Sequence, residues 1–235
     1  MNCRFELNRI PKGPLALALS ITLLAGCGGS DPVDPTANDA NPDFGANVIV
    51  FDTKMAPATI QATVEDIFQQ QVDGQFNAKR FALLFKPGSY NTNINVGFYT
   101  QVLGLGKSPN DVNITGDLTV NAKWFGKYGA DNNATQNFWR TVENFTVTPS
   151  DGEAHWAVAQ ATSFRRMSIM GKLRLDDNWG WASGGYIADS AVSDETSPNT
   201  QQQWISRNAE YAKPWNCWMW NCVFVGSTNS PEGTF

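Results

Sequence analysis

The chain has one histidine and four cysteines in 235 residues, and only 17% of its side chains are charged. Each shortage removes a class of chemistry. A Ser-His-Asp hydrolase would have to use His155, in Glu153-Ala154-His155-Trp156, and no Gly-x-Ser-x-Gly elbow is present to receive it. His155 therefore reads as a partly buried hydrogen-bonding residue rather than a catalytic one. Cys217 and Cys222 stand alone as C-x4-C with no second ligand pair, which disfavours zinc. Neither a Walker loop nor Gly-x-Gly-x-x-Gly occurs; Gly104-Leu105-Gly106 closes a strand and misses the remaining spacing, so no nucleotide cofactor is implied. The apolar run from Leu15 to Leu24 is too short to span a bilayer as a permanent helix.

That run is instead the centre of an export signal. Arg4, Arg9 and Lys12 precede it, and Leu24-Ala25-Gly26-Cys27 ends it as a bacterial lipobox. Residues 1–26 are expected to be a lipoprotein signal peptide, with Cys27 the lipidated first residue of the mature chain; the alternative is an ordinary signal with a chance cysteine. Gly28, rather than Asp, favours the outer membrane or cell surface, so the membrane is a partner through a lipid anchor only. Residues 27–46 hold Gly, Ser, Asp, Pro, Asn and Ala with one aromatic, Phe44, and read as a flexible tether. Without its leader the chain keeps 14 basic against 21 acidic residues, a net charge of −7. Such a surface repels phosphate backbones and excludes nucleic acid as a natural partner. It also disfavours a strongly anionic polysaccharide.

Cys3 leaves with the signal and Cys27 takes lipid, so Cys217 and Cys222 are the pair left for a disulfide. In a straight strand they would lie roughly 16 Å apart, against the ~7 Å limit for a bridge, so a bond needs a turn between them. The oxidising cell envelope permits one.

What the chain does have is short strands. Leu83-Leu84-Phe85-Lys86-Pro87-Gly88-Ser89-Tyr90, Val96 to Gly106 and Val112 to Gly116 are rich in Val, Ile, Phe and Tyr, and each ends in a Gly-bearing turn. They carry no Asn-Gly or Asp-Gly hairpin signal, which favours a solenoid wound in one direction over hairpins. Upstream, Ile60, Val64, Ile67 and Phe68 form one apolar face of a helix over about 57 to 72, suited to plugging the open end of a solenoid core. Downstream, Asn144, Met167, Ser190 and Asn208 sit at equivalent places in strand-like runs, at intervals of 23, 23 and 18 residues, close to one coil each. The segment Trp220-Asn221-Cys222-Val223-Phe224 arrives too early for that spacing and is placed on another side of the coil, unless the register is wrong. Residues 47–235 are thus expected to form one all-β domain, a right-handed parallel β-helix with an N-terminal capping helix; a β-sandwich is the alternative.

The order of that helix, then Ala82-Leu83-Leu84-Phe85-Lys86-Pro87-Gly88-Ser89-Tyr90, Val96 to Gly106 and Asp111-Val112-Asn113-Ile114-Thr115-Gly116, resembles the opening coils of secreted pectate-lyase-like β-helix proteins, including GH55-type exo-β-1,3-glucanases. The likeness covers roughly residues 47 to 226. It implies a polysaccharide or oligosaccharide partner and a glycoside hydrolase or lyase activity, with Ca²⁺ in play only for a lyase. It places no catalytic residue here, because in GH55-type proteins catalysis belongs to later coils. With no element to cap the last strand before Phe235, the chain is expected to be the N-terminal portion of a longer protein.

Aromatic and acidic residues gather in the second half. All nine Trp lie between Trp124 and Trp220, and Trp179 and Trp181 adjoin Asp176-Asp177. Indole faces suit the apolar faces of sugar rings, and carboxylates suit acid-base work. The expected site is one lateral face with Asp176, Asp177 and Asp189 as catalytic acids and Trp179, Trp181, Arg207 and Glu210 as substrate contacts. Against this, each Trp could fill the coil interior and Asp176-Asp177 could be a solvated bend. The alternative function is a non-catalytic glycan-binding or scaffold β-helix.

Overall fold

The computed structural model describes residues 43–122, 134–177, 180–181, 183–199, 201–215 and 222–230. The expected leader, the lipobox Cys27, most of the tether, Trp179 and Cys217 lie outside the described residues.

The described strands wind through three sheets in a fixed order. The first sheet holds β1 (Val48–Phe51), β2 (Phe81–Phe85), β5 (Thr100–Gly104), β8 (Arg140–Glu143), β11 (Thr162–Arg165), β14 (Ser183–Ala188), β17 (Gln202–Arg207) and β19 (Val223–Val225). The second holds β3 (Gly88–Asn91), β6 (Val112–Thr115), β9 (Thr146–Thr148), β12 (Ser168–Ile169), β15 (Ala191–Val192) and β18 (Glu210–Tyr211). The third holds β4 (Ile94–Asn95), β7 (Leu118–Val120), β10 (Glu153–Trp156), β13 (Lys172–Arg174) and β16 (Thr196–Ser197). Each coil visits the first, second and third sheets in turn and pairs in parallel with the coil before it, as in β2 with β5 and β5 with β8. This is a right-handed parallel β-helix, and the sandwich alternative falls with its antiparallel pairs.

Stacking fixes the core. Leu83, Val102, Val142, Phe164 and Ile187 are register partners on successive first-sheet strands, and all are buried. Tyr90, Ile114, Val147, Ile169, Val192 and Tyr211 form the matching inward row of the second sheet. In the third, Ala154 stands between larger neighbours, while Trp156 packs edge-on to Phe164 at 5.8 Å and fills the interior. Inward and outward residues alternate even in Phe81–Phe85, a run that looks continuously apolar because Leu84 faces out beside Leu103.

Helix α1 (Pro57–Gln71) begins on a proline at its first position and buries Ile60, Val64, Ile67 and Phe68. Ile60, Val64 and Ile67 join Phe51, Leu83 and Ile94 in one hydrophobic cluster, so the helix closes the end of the core. Two glutamines pin it. Gln61 Oε1 accepts from the Asn93 amide at 2.7 Å and the Thr92 hydroxyl at 3.0 Å, and buried Gln71 donates to the Phe98 carbonyl at 2.7 Å.

The corner from the first sheet to the second corrects the repeat read from sequence. Its equivalent residues are Asn144, Arg166, Asp189, Asn208 and Gly226, all at positive φ (64°, 50°, 50°, 50° and 62°). The amides of Asn144, Arg166, Asp189 and Asn208 donate to the carbonyls of Arg165, Ala188, Arg207 and Val225, one coil on. Met167 and Ser190 are therefore one residue past the equivalent place. The same register puts β19 in the first sheet beside β17, where the early arrival of Val223 had suggested another side.

Candidate functional site

The opposite corner, from the third sheet back to the first, carries a second column. Residues at the start of the first-sheet strands, just before β2, β5, β8 and β11 and second in β14 and β17, stack in the order Arg80, Tyr99, Trp139, Ala161, Gly184 and Gln203, as the strand pairings require. Five have positive φ: Tyr99 51°, Trp139 54°, Ala161 58°, Gly184 81° and Gln203 61°. The Tyr99 amide donates to the Trp139 carbonyl at 2.7 Å, and the Trp139 amide to that of Ala161 at 3.0 Å. A left-handed conformation costs an L-residue about 1–2 kcal/mol, and four non-glycine residues hold it here. The same left-handed turn recurs at the first-to-second corner, so it belongs to the way the coils bend.

Arg80, Trp139, Ala161 and Gln203 of the column are exposed, Tyr99 is half-buried and Gly184 is buried. The Arg80 guanidinium lies 3.4 Å over the Tyr99 ring, and Tyr99 stacks on Trp139 with centroids 5.0 Å apart and planes at 18°. The Tyr99 hydroxyl donates to the Gln75 carbonyl at 2.7 Å, and Phe138 meets Trp139 edge-on at 4.5 Å. Trp139, so clamped, remains 42% exposed. Past it the column loses bulk: exposed Ala161 leaves a notch beside Trp139, and Gly184, one coil on, is buried under the Gln160 side chain. Gly184 is needed twice over, because its φ is left-handed and an added Cβ would come within 2.7 Å of the Gln160 side chain. Beyond Gly184, Ser183 Oγ donates to Gln203 Oε1 at 2.8 Å, and Trp181, two residues earlier in the chain, is 66% exposed. The described walls of the notch thus offer an indole, amides and a hydroxyl, all uncharged. Those groups suit a neutral hydroxylated ring. Just inside, Arg140 points into the core and donates to the Val96 carbonyl at 2.6 Å; burial pushes its guanidinium down to about 9, still cationic at neutral pH.

The residues expected to share one face are divided between the two corners. Asp176 and Asp177 are buried at the third-to-first corner, where Asp176 accepts from Asn199 Nδ2 at 2.6 Å and Asp177 from the Ala122 amide at 3.0 Å. They are neither a solvated bend nor open to a substrate. Asp189 is at the first-to-second corner, accepting from Arg207 Nη2 at 3.1 Å and Asn208 Nδ2 at 3.2 Å. The hydrogen bond from Asn208, with Arg207 and Arg165 nearby, holds its carboxyl below the usual range. The six residues of β14 separate these sites by roughly 20 Å, against the ~5–10 Å of a glycosidase pair. Glu210 lies on the outer face of the second sheet. The described members of the expected face are therefore not brought together: Trp181 is exposed just before β14, and Asp189 with Arg207 forms an ion pair at the other corner.

The remaining groups are accounted for elsewhere. His155 lies on the outer face of the third sheet, 3.4 Å from Glu153, which Arg174 grips through 2.7 and 3.1 Å contacts. Among the described residues, no cluster of three or more His, Cys, Asp or Glu gathers to hold a metal. The sulfur of Cys222 accepts from the Trp204 amide at 3.4 Å, and its expected partner Cys217 is outside the described residues.

No family model matches the chain. Its sequence is 43% identical over 226 residues to an exo-β-1,3-glucanase of Streptomyces sp. (strain SirexAA-E / ActE), covering 94% of this chain and 36% of that protein. The structure of sacteLam55A from Streptomyces sp. SirexAA-E matches with a TM-score of 0.76 and 45% identity, over 83% of this chain and 34% of the other. A glutamate-to-alanine variant of sacteLam55A in complex with glucose matches equally well. The chain spans about a third of the length of these relatives, 36% and 34% by the two measures. In sequence and in the winding of its coils, the chain is similar to these GH55-type parallel β-helix proteins.

Proposed function

We propose that this chain is the substrate-contacting part of a glycoside hydrolase that degrades β-1,3-glucan, with contact at the notch between Trp139 and Gln203. The observation that carries the reading is the 43% identity to an exo-β-1,3-glucanase over nearly the whole chain. The notch agrees in its chemistry: stacking and neutral hydrogen bonds suit an uncharged glucan, and its described walls offer no cation to pair with a polyuronate's carboxylates. The described walls of the notch supply no carboxylate, so the residues on view bind and orient a sugar, and acid-base catalysis must come from other groups. That same observation favours the second reading, binding without turnover. To test both, the whole protein is run through gels containing linear β-1,3-glucan, β-1,4-glucan or polygalacturonate, and assayed for glucose release from each. Retardation and glucose release on β-1,3-glucan alone support the proposal; retardation without release supports the second reading; retardation on polygalacturonate alone overturns both. Attachment to the envelope through lipid on Cys27 belongs to the same proposal, and Cys27→Ser should move the protein out of the membrane fraction.

A further inference from the structure

Beneath the third-to-first corner the core holds a cation with no opposite charge beside it. Arg140, the first residue of β8, is 3% exposed, and its side chain turns inward at the register position of Thr162 in the next coil. Nη1 donates to the Val96 carbonyl at 2.6 Å, Nε donates to the Phe138 carbonyl at 3.4 Å, and the guanidinium carbon lies 4.5 Å over the Phe98 ring. Nη2 is buried without an acceptor. Among the described residues no carboxylate pairs with this guanidinium, and burial alone pushes it down to about 9, so it stays charged at neutral pH. A buried charge with an idle donor burdens a fold, and an apolar side chain of similar bulk commonly serves stability as well or better. Stability alone therefore gives no reason for an arginine here.

What the contacts of Arg140 share is their place in the chain. Val96 and Phe98 lead into Tyr99, just before β5, and Phe138 leads into Trp139, just before β8. One guanidinium thus ties together the approaches of two adjacent coils. Phe98 meets Phe138 edge-on at 5.7 Å, and Phe138 meets Trp139 edge-on at 4.5 Å, so the hold passes outward from the core to the exposed indole. We infer that Arg140 is a positioning residue, which touches no sugar itself but, through the Phe138 carbonyl and the Phe98 ring, fixes the angle at which Trp139 stands beside the notch and so the affinity there. The inference rests on the proposed function. Two features point to it. The first is direction: the planar guanidinium sets its donors in a fixed fork, so bonds to carbonyls from two coils define a relative placement that an apolar side chain would leave loose. The second is need, because Trp139 is 42% exposed and has only Tyr99 and Phe138 as aromatic neighbours. A side chain restrained before the ligand arrives spares binding the cost of ordering it.

The test labels the whole protein with fluorotryptophan and follows Trp139 by fluorine NMR, its resonance being the one lost in Trp139→Phe. The same samples are titrated with a β-1,3-glucan hexasaccharide and unfolded in denaturant. Arg140→Met keeps the bulk and removes the charge and the donors. Its Trp139 resonance should shift or broaden while those of the other tryptophans stay, and affinity should fall roughly fivefold, as for a stacking contact turned to a poorer angle. Its unfolding midpoint should stay native or rise, since a buried charge is gone. Arg140→Lys keeps the charge but cannot span both carbonyls, so it should fall between the two and serves alone if Arg140→Met does not fold. A native Trp139 resonance and native affinity in the folded variant overturn the inference. So does a loss of affinity that follows a falling midpoint and moves every tryptophan resonance together, which is the mark of a merely structural residue. If the native chain binds no glucan, the functional reading fails; a Trp139 resonance that still moves in the variant then upholds the hold of Arg140 on that side chain, and one that stays overturns it.

Discussion

Two corners of the solenoid use the same backbone device for opposite ends. Both stack left-handed residues on successive coils and relay amide-to-carbonyl bonds along the axis. At the first-to-second corner the side chains turn back on the protein: Asn144 donates to the Gly104 and Gly106 carbonyls at 2.8 and 2.7 Å, Arg166 donates to Asn144 Oδ1 at 3.1 Å, and Asn208 and Arg207 both bond Asp189. At the third-to-first corner the corresponding positions hold Arg80, Tyr99, Trp139 and Gln203 and shrink to Ala161 and Gly184. The first corner stabilises the coils. The second keeps Arg80, Trp139 and Gln203 exposed at the surface.

The largest effect that sharpens this contrast is expected at Asn144. Its side chain is buried, and its loss in Asn144→Ala strands two carbonyls while alanine keeps the left-handed backbone. The cost should be about 2–4 kcal/mol in denaturant unfolding, with glucan affinity unchanged. Trp139→Ala should do the reverse: a smaller stability loss of ~1–2 kcal/mol, from one exposed stack, and a fall of about tenfold in glucan affinity. Equal stability losses from the two would erase the distinction drawn between the corners.

The smallest effect belongs to Asp189. Its carboxyl is held low in the folded chain by Asn208 and then Arg207, so its contribution is fully present above the ordinary carboxylate pKa of about 4 and is lost as pH falls through the lowered value. An ion pair this exposed contributes under ~1 kcal/mol. Asp189→Asn should therefore shift the unfolding midpoint slightly at neutral pH, and the gap from the native chain should close in acid. A gap that widens below pH ~4 would reverse the sign assigned here.

Much of the scaffold was legible in the sequence, because burial leaves a periodic trace. The apolar spacing of Ile60, Val64, Ile67 and Phe68 located the plugging helix, observed at Pro57–Gln71, and the runs before Tyr90, Gly106 and Gly116 became strands of the first two coils. The corner register was harder to read. Asn144 and Asn208 look like turn residues, but the left-handed position between them is filled by Arg166 and Asp189, so matching by residue type slipped by one. The column of Arg80, Tyr99 and Trp139 was not legible. Tyr99 and Trp139 are 40 residues apart in sequence and meet only through coil stacking, and a left-handed φ on an aromatic residue leaves no mark in composition. The tryptophans could not be sorted by sequence either: Trp156, Trp204 and Trp215 are buried, while Trp139 and Trp181 stand out from the surface. Nor could Asp176 and Asp177, whose partners Asn199 and Ala122 come from the next coil and from two coils back.

The most direct test of the account pairs one variant from each corner. Ala161→Leu fills the notch, replacing one exposed L-residue by another at the same φ, so the backbone should bear it. Asp189→Ala removes the ion pair at the other corner. Both are titrated with a β-1,3-glucan hexasaccharide by calorimetry, beside the native chain. The account predicts a loss of about tenfold or more for Ala161→Leu and native affinity for Asp189→Ala. Native affinity in Ala161→Leu together with lost affinity in Asp189→Ala would contradict it and move the glucan site to the charged corner.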